Sequence, residues 1–274
     1  MRITYYGTSA SEGWPALFCS CDACQNARKL GGKNIRTRSQ ALIDESLLLD
    51  FPPDTNLHVL NYRLDLRKVQ TLLVTHSHHD HFFASDVFMH EFPFSEQAAG
   101  SHLDVYGDAY VRALFYLAAR DTETQGKTIA FHAVTVFQQF MTADGYQVVP
   151  LLADHNQPEK SIIYDISKDG KRVLYAHDTG IFPEVSWNYL NAIHYDLVSL
   201  DCTALDRDWT QGHMGFQAVK VTIARLRKQN CIDSHSILVL NHFAHRNGFT
   251  HNRIQEEAEK LGCIAAYDGM EIEF

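Results

Sequence analysis

The segment THSHHDH, which begins at Thr75, places metal-competent side chains at the spacing H-x-H-x-D-H. It directly follows the apolar run Thr71–Val74, which predicts a buried strand that ends in a loop. In extended backbone alternate side chains share a face, so His76, His78 and Asp80 are expected on one face. His81 is expected where a helix begins. Imidazoles and carboxylates together suit zinc, manganese or iron. One short loop could therefore supply two neighbouring ions, and this predicts metal-assisted hydrolysis. The residues are His76, His78, Asp80 and His81.

Other apolar runs also end on metal-competent side chains. Strand ends that converge at one edge of a sheet are where α/β proteins usually bind ligands. A single Asp after a strand is more often a turn residue or a helix cap, but several together with the H-x-H-x-D-H segment indicate a site. These residues are Asp154 and His155 after Val148–Leu152, His177 and Asp178 after Val173–Tyr175, Asp201 after Leu197–Leu200, and His242 after Ile237–Leu240.

The elements that must position these residues are mainly strands. A hairpin is expected within residues 41–50. Apolar residues at helical spacing predict helices around Val219–Leu226 and Ile254–Leu261, the second capped by Gly262. Without a repeat or a Pro/Gly-rich linker, we expect a single domain over residues 1–274. The predicted strands are Arg2–Tyr6, Gln40–Ile43, Ser46–Asp50, Thr71–Thr75, Asp104–Tyr106, Tyr146–Leu152, Ser161–Ile166, Arg172–Ala176, Leu197–Asp201 and Ile237–Asn241.

The H-x-H-x-D-H segment, followed by spaced His, Asp and His at later strand ends, resembles the metallo-β-lactamase fold superfamily over nearly the whole chain. The resemblance implies an α/β fold, an αββα sandwich with a binuclear metal site (zinc, manganese or iron) at the shared edge of two sheets. It implies that the first ion is held by His76, His78 and His155, and the second by Asp80, His81 and His242, with Asp178 bridging the two.

A second signature lies near the N-terminus, where GTSASEGWP from Gly7 precedes CSCDACQNAR from Cys19. Together with DGMEI from Asp268, it resembles PhnP-type phosphodiesterases, which open a cyclic phosphate on ribose 5-phosphate. The resemblance implies a structural zinc in a knuckle loop at about residues 15–30. Three thiolates and one imidazole suit a closed tetrahedral zinc site, although three unrelated free cysteines are the alternative. The implied ligands are Cys19, Cys21, Cys24 and His245.

A two-ion site of this kind predicts hydrolysis by a metal-bridging hydroxide that attacks phosphorus. Asp80 is expected to bind a metal and to orient the attacking group. His213, in a glycine-flanked loop before a helix, is the candidate proton donor to the leaving oxygen, or else a helix-start histidine without a catalytic role. Asp50 is expected either to support a metal-ligand loop or to be an ordinary turn residue. His177 is expected to be structural.

A basic stretch stands out in an otherwise acidic chain. Either it forms a solvated charged face, or one or two of its members bind a terminal phosphate of the substrate. The net charge of −9 argues against a general binder of nucleic acid or membranes. The stretch contains Arg28, Lys29, Lys33, Arg36 and Arg38.

The composition is that of an ordinary globular protein, 45% hydrophobic and 21% charged. The start reads as a strand rather than a signal peptide, and a cytoplasmic location is expected. The favoured function is a phosphodiesterase for a small cyclic sugar or nucleotide phosphate, and a homodimer is one expected state. The alternatives are an RNA 3′-processing nuclease, a non-catalytic PqqB-like biosynthetic or ligand-binding protein, and a lactonase or thioesterase.

Overall fold

Two mixed β-sheets lie face to face in the computed structural model, which describes residues 1–96, 100–121, 128–246 and 248–274. The first sheet has the strand order β14-β1-β2-β3-β4-β5-β6, and the second has the order β13-β12-β11-β10-β9-β8-β7. The strands are β1 (Arg2–Gly7), β2 (Gln40–Ile43), β3 (Leu47–Leu49), β4 (Thr71–Leu73), β5 (Leu103–Gly107), β6 (Ile129–Ala133), β7 (Phe140–Met141), β8 (Gln147–Leu152), β9 (Ile162–Lys168), β10 (Lys171–Ala176), β11 (Leu197–Asp201), β12 (Ile237–Asn241), β13 (Ile264–Ala265) and β14 (Met270–Glu273).

Helices cover the outer faces of both sheets and complete the αββα sandwich that the resemblance implied. Short 3₁₀ turns occupy Gly32–Asn34, Leu66–Lys68 and Phe88–His90. Among the described residues, none of the helices is both long and apolar enough to span a membrane. The α-helices are α1 (Asp22–Leu30), α2 (Thr55–Tyr62), α3 (Ala84–Val87), α4 (Ala109–Asp121), α5 (Glu184–Leu190), α6 (Phe216–Lys228) and α7 (His251–Lys260).

Three apolar clusters hold these layers together. The central cluster joins the inner faces of the two sheets, where Tyr5 of β1 and Tyr164 of β9 are fully buried. A second cluster packs α1, α5, α6 and α7 onto the second sheet, with Trp187 at its centre. A third packs α3 and α4 onto the first sheet through residues such as Phe88 and Phe115. Burial of apolar area of this extent is the main force that fixes the sandwich.

The ten predicted strands are all present, with ends that differ by no more than two residues. The predicted hairpin is β2–β3, and the predicted apolar stripes of α6 and α7 are buried. The sequence did not predict β6, β7, β13 or β14. β7 and β13 have two residues each, too few for a period to be read. β6 is half exposed along its length and lacks a clear alternation.

The direction of the strands brings the candidate ligands together. β3, β4 and β5 run parallel in the first sheet, and β10, β11 and β12 run parallel in the second. Because the carboxyl ends of parallel strands meet at one edge, the residues that follow β4, β10, β11 and β12 share that edge. Gly180 allows a close approach there, since a Cβ at this position would lie 2.4 Å from the carbonyl oxygen of Thr210.

Candidate metal centre

The seven predicted metal ligands lie in two adjacent groups at this edge. The first contains three imidazoles, and the second contains two carboxylates with two imidazoles. Within each group one ligand atom per residue lies within 4.8 Å of the others. The segment after β4 is an irregular loop rather than extended backbone, so Asp80 joins the second group instead of sharing a face with the first two histidines. The groups are His76, His78 and His155, and Asp80, His81, Asp178 and His242.

The first group is a tight triad of ring nitrogens. Nε2 of His76 lies 2.9 Å from Nδ1 of His78, and Nε2 of His155 lies 3.3 Å from the same Nδ1. Nitrogen atoms about 3 Å apart that all point inward cannot each find a hydrogen-bond partner in the others. A cation between them satisfies all three lone pairs, so the donor set fits a bound metal ion.

The second group is built around His81. Its Nε2 lies 2.5 Å from Oδ2 of Asp178, 3.3 Å from Oδ2 of Asp80 and 3.3 Å from Nε2 of His242. All four residues are buried. Two carboxylate and two imidazole donors make a set that zinc, manganese and iron accept.

Asp178 links the two groups. Its Oδ2 lies 3.4 Å from Nε2 of His76 in the first group and close to His81 in the second. Its Oδ1 is buried without a hydrogen-bond partner among the described residues, although it lies 3.1 Å from Nδ1 of His242. A buried carboxylate oxygen without a partner is costly unless an ion or ligand is bound. The position of Asp178 therefore fits the bridge between two ions that the resemblance implies.

The outward-facing nitrogens of four imidazoles are held by the protein, which leaves Nε2 of each directed into the site. Such contacts fix the tautomer and the orientation of metal-binding histidines. The Nδ1 contacts are His76 to Oγ1 of Thr75 at 3.0 Å, His81 to Oδ2 of Asp50 at 2.7 Å, His155 to the carbonyl oxygen of Gly212 at 2.9 Å, and His242 to Oγ1 of Thr203 at 2.8 Å.

Asp50 supports the loop rather than serving as an ordinary turn residue. Its Oδ1 accepts hydrogen bonds from N and Oγ1 of Thr75 at 2.8 and 2.9 Å, while its Oδ2 contacts His81. Asp50, Asp178 and His242 all have left-handed backbone, with φ of 63°, 49° and 63°. This conformation costs about 1–3 kcal/mol for a residue other than glycine and persists mainly where the surroundings enforce it, often at functional sites.

Asp201 is a second residue that supports the metal centre, although the sequence indicated only that it ends a strand. Its carboxylate accepts hydrogen bonds from the backbone N of Asp178, Thr203 and Met214 at 3.1, 3.0 and 2.9 Å. Nδ1 of His213 lies 3.1 Å from Oδ2 of Asp201. Asp201 and His213 also form a possible metal-binding set with Asp178 and His242, but protein donors already occupy the oxygens of Asp201. Asp201 therefore orients the His213 ring.

Glu159 is a third residue that supports the metal centre, and the sequence analysis did not identify it. It is buried in the loop between β8 and β9, and its carboxylate accepts hydrogen bonds from N and Oγ of Ser77 at 2.7 and 2.9 Å. Asn156 donates to the same carboxylate at 3.1 Å. Ser77 lies between two ligands of the first group and Asn156 follows the third, so Glu159 joins both loops that carry the triad.

The electrostatic environment prepares the donors for metal binding. Burial lowers the pKa of His76 well below its usual value, and it also lowers the pKa of His78. Both rings are therefore neutral at pH 7, the form that binds metal. Burial opposes charge on His213 too, but the Asp201 and Asp178 carboxylates outweigh it and raise the pKa of His213 to about 9. Burial alone would raise the pKa of Asp178, but the nearby imidazoles of His242 and His81 hold it well below its usual range.

The knuckle residues also come together. The ligand atoms of Cys19, Cys21, Cys24 and His245 lie within 4.8 Å of one another, and the cysteines are free thiols. Nδ1 of His245 lies 3.8 Å from Sγ of Cys19 and 3.4 Å from Sγ of Cys21. A tetrahedral zinc with S and N ligands requires about 3.6 Å between such atoms. The arrangement thus fits a closed site for a structural metal.

The members of the basic stretch lie in different environments. Arg36 is buried, donates to Oγ1 of Thr8 at 2.7 Å and to the carbonyl oxygen of Ala266 at 2.6 Å, and contacts His251. Lys33 lies over the ring of Tyr267. The other members of the basic stretch contact protein groups or are exposed. Arg38 pairs with Asp54, Arg28 donates to carbonyl oxygens of the knuckle loop, and Lys29 is exposed. Arg36 is therefore neither part of a solvated charged face nor a phosphate ligand; it is a structural residue of the core.

Two histidines of the site region have other roles. His79 is exposed on the ligand loop. His177 is buried, packs on Tyr175 and contacts Oγ of Ser199 at 2.7 Å, in agreement with its predicted structural role. The side chain of His177 therefore lies away from the ligand groups.

Comparisons with known proteins agree with this geometry. Residues 47–242 match the model of the beta-lactamase superfamily domain. Ribonuclease Z from Lactococcus lactis subsp. cremoris (strain SK11) is 25% identical over 156 residues, which are 57% of this chain and 47% of the relative. The chain thus spans about half the length of the curated relatives it matches.

Two solved structures resemble the fold over the full chain. Zn²⁺-bound PqqB from Methylobacterium extorquens has a TM-score of 0.75 and 17% identity, with 100% of each chain covered. A diphosphatase from the PhnP family has a TM-score of 0.75 and 20% identity, covering 100% of this chain and 97% of the other. Likeness at these identities establishes the αββα fold.

Proposed function

This chain belongs to the β-lactamase superfamily, and from that premise we propose that it is a metal-dependent hydrolase that cleaves a small phosphodiester, of the cyclic sugar or nucleotide phosphate class. The observation that carries the proposal is the pair of donor groups that meet at Asp178, whose Oδ2 lies 3.4 Å from Nε2 of His76 and 2.5 Å from Nε2 of His81. Two divalent ions about 3.5–4 Å apart can clamp the attacking and leaving oxygens of a phosphate ester, and a carboxylate common to both donor groups suits such a spacing.

The first ion would be held by the His76, His78 and His155 triad, and the second by the group around His81, with Asp178 common to both. When bound, two divalent ions supply a nucleophile at neutral pH and neutralise charge on the phosphoryl oxygens. Asp80 accepts a hydrogen bond from the attacking water and fixes its direction. This agrees with its buried carboxylate and its position 3.3 Å from His81.

His213 donates the proton that the leaving oxygen requires. Its ring lies beside those of His155 and His242, with centroid distances of 4.9 and 5.8 Å. Because Asp201 holds Nδ1, the other nitrogen is available to a leaving group. A donor fixed in this way protonates an alkoxide as the P–O bond breaks.

The knuckle has a structural role in this proposal. A zinc held by Cys19, Cys21, Cys24 and His245 would tie the N-terminal loop to the segment that follows β12. His245 lies three residues after the ligand His242, so the knuckle would restrict movement of that ligand.

The test is hydrolysis of bis-p-nitrophenyl phosphate and of a ribose cyclic phosphate by the metal-loaded protein and by Asp80→Asn. We expect turnover of both diesters by the wild type and a loss of about 10²-fold or more in the variant. Turnover of a lactone or thioester in place of both diesters would redirect the proposal to carbon electrophiles. Absence of turnover with any added metal would favour a PqqB-like, non-catalytic protein.

An RNA-processing nuclease is the second candidate, because the curated relatives are named ribonuclease Z. The net charge of −9 offers little general attraction for a phosphate backbone. Cleavage of a precursor transfer RNA at its 3′ end, at a rate above that of the cyclic diester, would favour this candidate.

A further inference from the structure

An apolar cavity lies on the outer face of the first sheet, beneath α3. It has a volume of about 230 Å³, and eight of its twelve lining residues are apolar. Water in such a space would find few polar partners, because a buried water usually makes two to four hydrogen bonds. The apolar lining includes Leu48, Leu72 and Leu103 from the strands, and Val69, Val87 and Met89 from the segments that cover them.

The size of the cavity admits a small molecule. Protein interiors are close-packed and contain few voids larger than a water molecule. An engineered apolar cavity of about 150 Å³ stays dry and binds benzene. A cavity of about 230 Å³ therefore has room for one ring or a short branched chain together with a polar arm.

The polar lining of the cavity carries one uncompensated charge. Asp86 is half-buried, burial raises its pKa, and no cationic side chain pairs with it among the residues that the structure describes. The guanidinium of Arg67 is already held by the carboxylate of Asp65, at 2.7 and 2.9 Å. Burial lowers the pKa of His90, which is therefore neutral at pH 7, and its Nδ1 contacts Oγ1 of Thr128. The cavity thus favours a cation over an anion.

The cavity also lies between the two elements that anchor the metal-ligand loop. The loop leaves β4, to which Leu72 belongs, and enters α3, to which Val87 belongs, and both residues line the cavity. Phe51 lines it too. The backbone N of Phe51 donates to the carbonyl oxygen of His81 at 2.7 Å, and its carbonyl oxygen accepts from N of Phe83 at 2.7 Å. A molecule packed against these residues would restrict movement of the loop.

We propose that this cavity binds a small apolar amine in its cationic form, and that the bound amine stabilises the metal-ligand loop. The apolar body fills the space between β4 and α3, and the ammonium group pairs with Asp86. Because binding free energies are linked, an amine that improves retention of a centre ion is itself bound more tightly when that ion is present. The site is distinct from the proposed hydrolytic site, since none of the metal ligands lines it.

Binding is measured by methyl NMR of the metal-loaded protein, titrated with benzylamine, benzyl alcohol and benzoate. We expect benzylamine to shift the methyl signals of Leu72, Val87 and Met89, but not those of Val239 in the central cluster. Benzylamine should bind about fivefold or more tightly than benzyl alcohol, as for a partly exposed ion pair, and benzoate should bind most weakly. Equal affinity for the amine and the alcohol would overturn the choice of a cation.

Two variants test the two parts of the site. Asp86→Asn should remove the preference for the amine and leave binding of the alcohol unchanged. Asp169→Asn, an exposed carboxylate on the second sheet, is the matched control and should bind as the wild type does. Val69→Phe should place a ring in the cavity and abolish binding of both compounds. Asp86→Asn changes a half-exposed side chain, so this test does not depend on how well the new ring fits. Unchanged benzylamine binding in both variants would overturn the site.

Chelator competition then tests the effect on the loop. With saturating benzylamine, we expect a severalfold higher chelator concentration to be needed to remove a centre zinc from the wild type, and no such change in Val69→Phe. An equal effect in Val69→Phe would show that the amine binds the metal directly, which would overturn the stabilising role. An unchanged titration of the wild type would overturn that role while the cavity site stands. None of these measurements requires turnover, so failure of the proposed hydrolase activity is detected separately.

Discussion

Glu159 binds Ser77 through both carboxylate oxygens, at 2.7 Å from N and 2.9 Å from Oγ, across 82 positions of the chain. Because Ser77 lies between His76 and His78, this pair supports the first donor group. Asp50 contacts His81 of the second group directly and reaches His76 of the first group only through Thr75. The two metal positions thus depend on these two carboxylates to different degrees.

We predict that Glu159→Gln weakens one of the two centre ions selectively. The amide presents N–H groups toward donors of Ser77 and Asn156, so the loops lose their common acceptor. Loss of such a supporting contact typically lowers metal affinity about 10–100-fold. Competition with a chelator should become biphasic, with one ion released at lower chelator concentration. Glu256→Gln on the exposed face of α7 is the control, and equal weakening of both ions would contradict a selective role of Glu159 at the first group.

Asp50→Asn should weaken the other ion. Its Oδ2 lies 2.7 Å from Nδ1 of His81, and the amide can no longer accept from both Thr75 and His81 in the same orientation. We expect a loss of affinity about 10–100-fold at the ion that Glu159→Gln leaves unchanged. The double variant should weaken both ions, and chelator titrations of the three proteins check this pattern. If both single variants release the same ion, the assignment of supports is wrong.

His213→Ala should reduce turnover in proportion to the basicity of the leaving group. The alkoxide of a sugar diester needs a proton, whereas p-nitrophenolate leaves without one. We expect kcat to fall about 10²–10⁴-fold on the ribose cyclic phosphate and only severalfold on bis-p-nitrophenyl phosphate. A comparable fall on both diesters, together with loss of a bound ion, would instead identify His213 as a metal ligand. His194→Ala, an exposed histidine away from the centre, should leave both rates unchanged.

Cys21→Ser should remove one ion per chain and lower thermal stability. Sγ of Cys21 lies 3.4 Å from Nδ1 of His245, and serine is a poor zinc ligand. A loss of about 3 kcal/mol would lower the Tm by about 6–12 °C in a chain of this size. Metal analysis and calorimetry measure the two effects. Cys263→Ala, which changes a thiol outside the knuckle, should keep the full metal content; an unchanged metal content in Cys21→Ser would rule out the knuckle site.

Asp268→Ala should destabilise the fold without changing metal content. Its carboxylate accepts hydrogen bonds at 2.6 Å from Oγ1 of Thr8, and from N and Oγ1 of Thr37. Removing an acceptor of three donors, one buried on Thr8 and two partly buried on Thr37, costs about 3 kcal/mol, which urea denaturation can measure. A free energy of unfolding within about 0.5 kcal/mol of the wild type would show that these bonds contribute little.

The metal ligands could be predicted from the sequence because each follows an apolar run, so that the strand pattern and the residue types agree. His155, Asp178 and His242 could be placed with the loop after β4 for this reason. Glu159 could not, because its role depends on how the loop between β8 and β9 folds against Ser77.

The two-residue strands β7 and β13 were missed because hydrogen bonding to neighbours, not local periodicity, defines them. The role of Arg36 in the basic stretch was missed for a related reason, since charge alone did not show that Arg36 is buried against Thr8 and His251. The single domain over residues 1–274, the homodimer and the cytoplasmic location stay predictions.

The most direct test of a two-ion centre with a separate knuckle is the number of divalent ions per chain, counted by native mass spectrometry after loading with zinc. We predict three ions in the wild type and one in Asp178→Ala, because the loss of the shared carboxylate weakens both positions of the centre while the knuckle keeps its ion. One ion in the wild type, with the same count in Asp178→Ala, would contradict the binuclear centre.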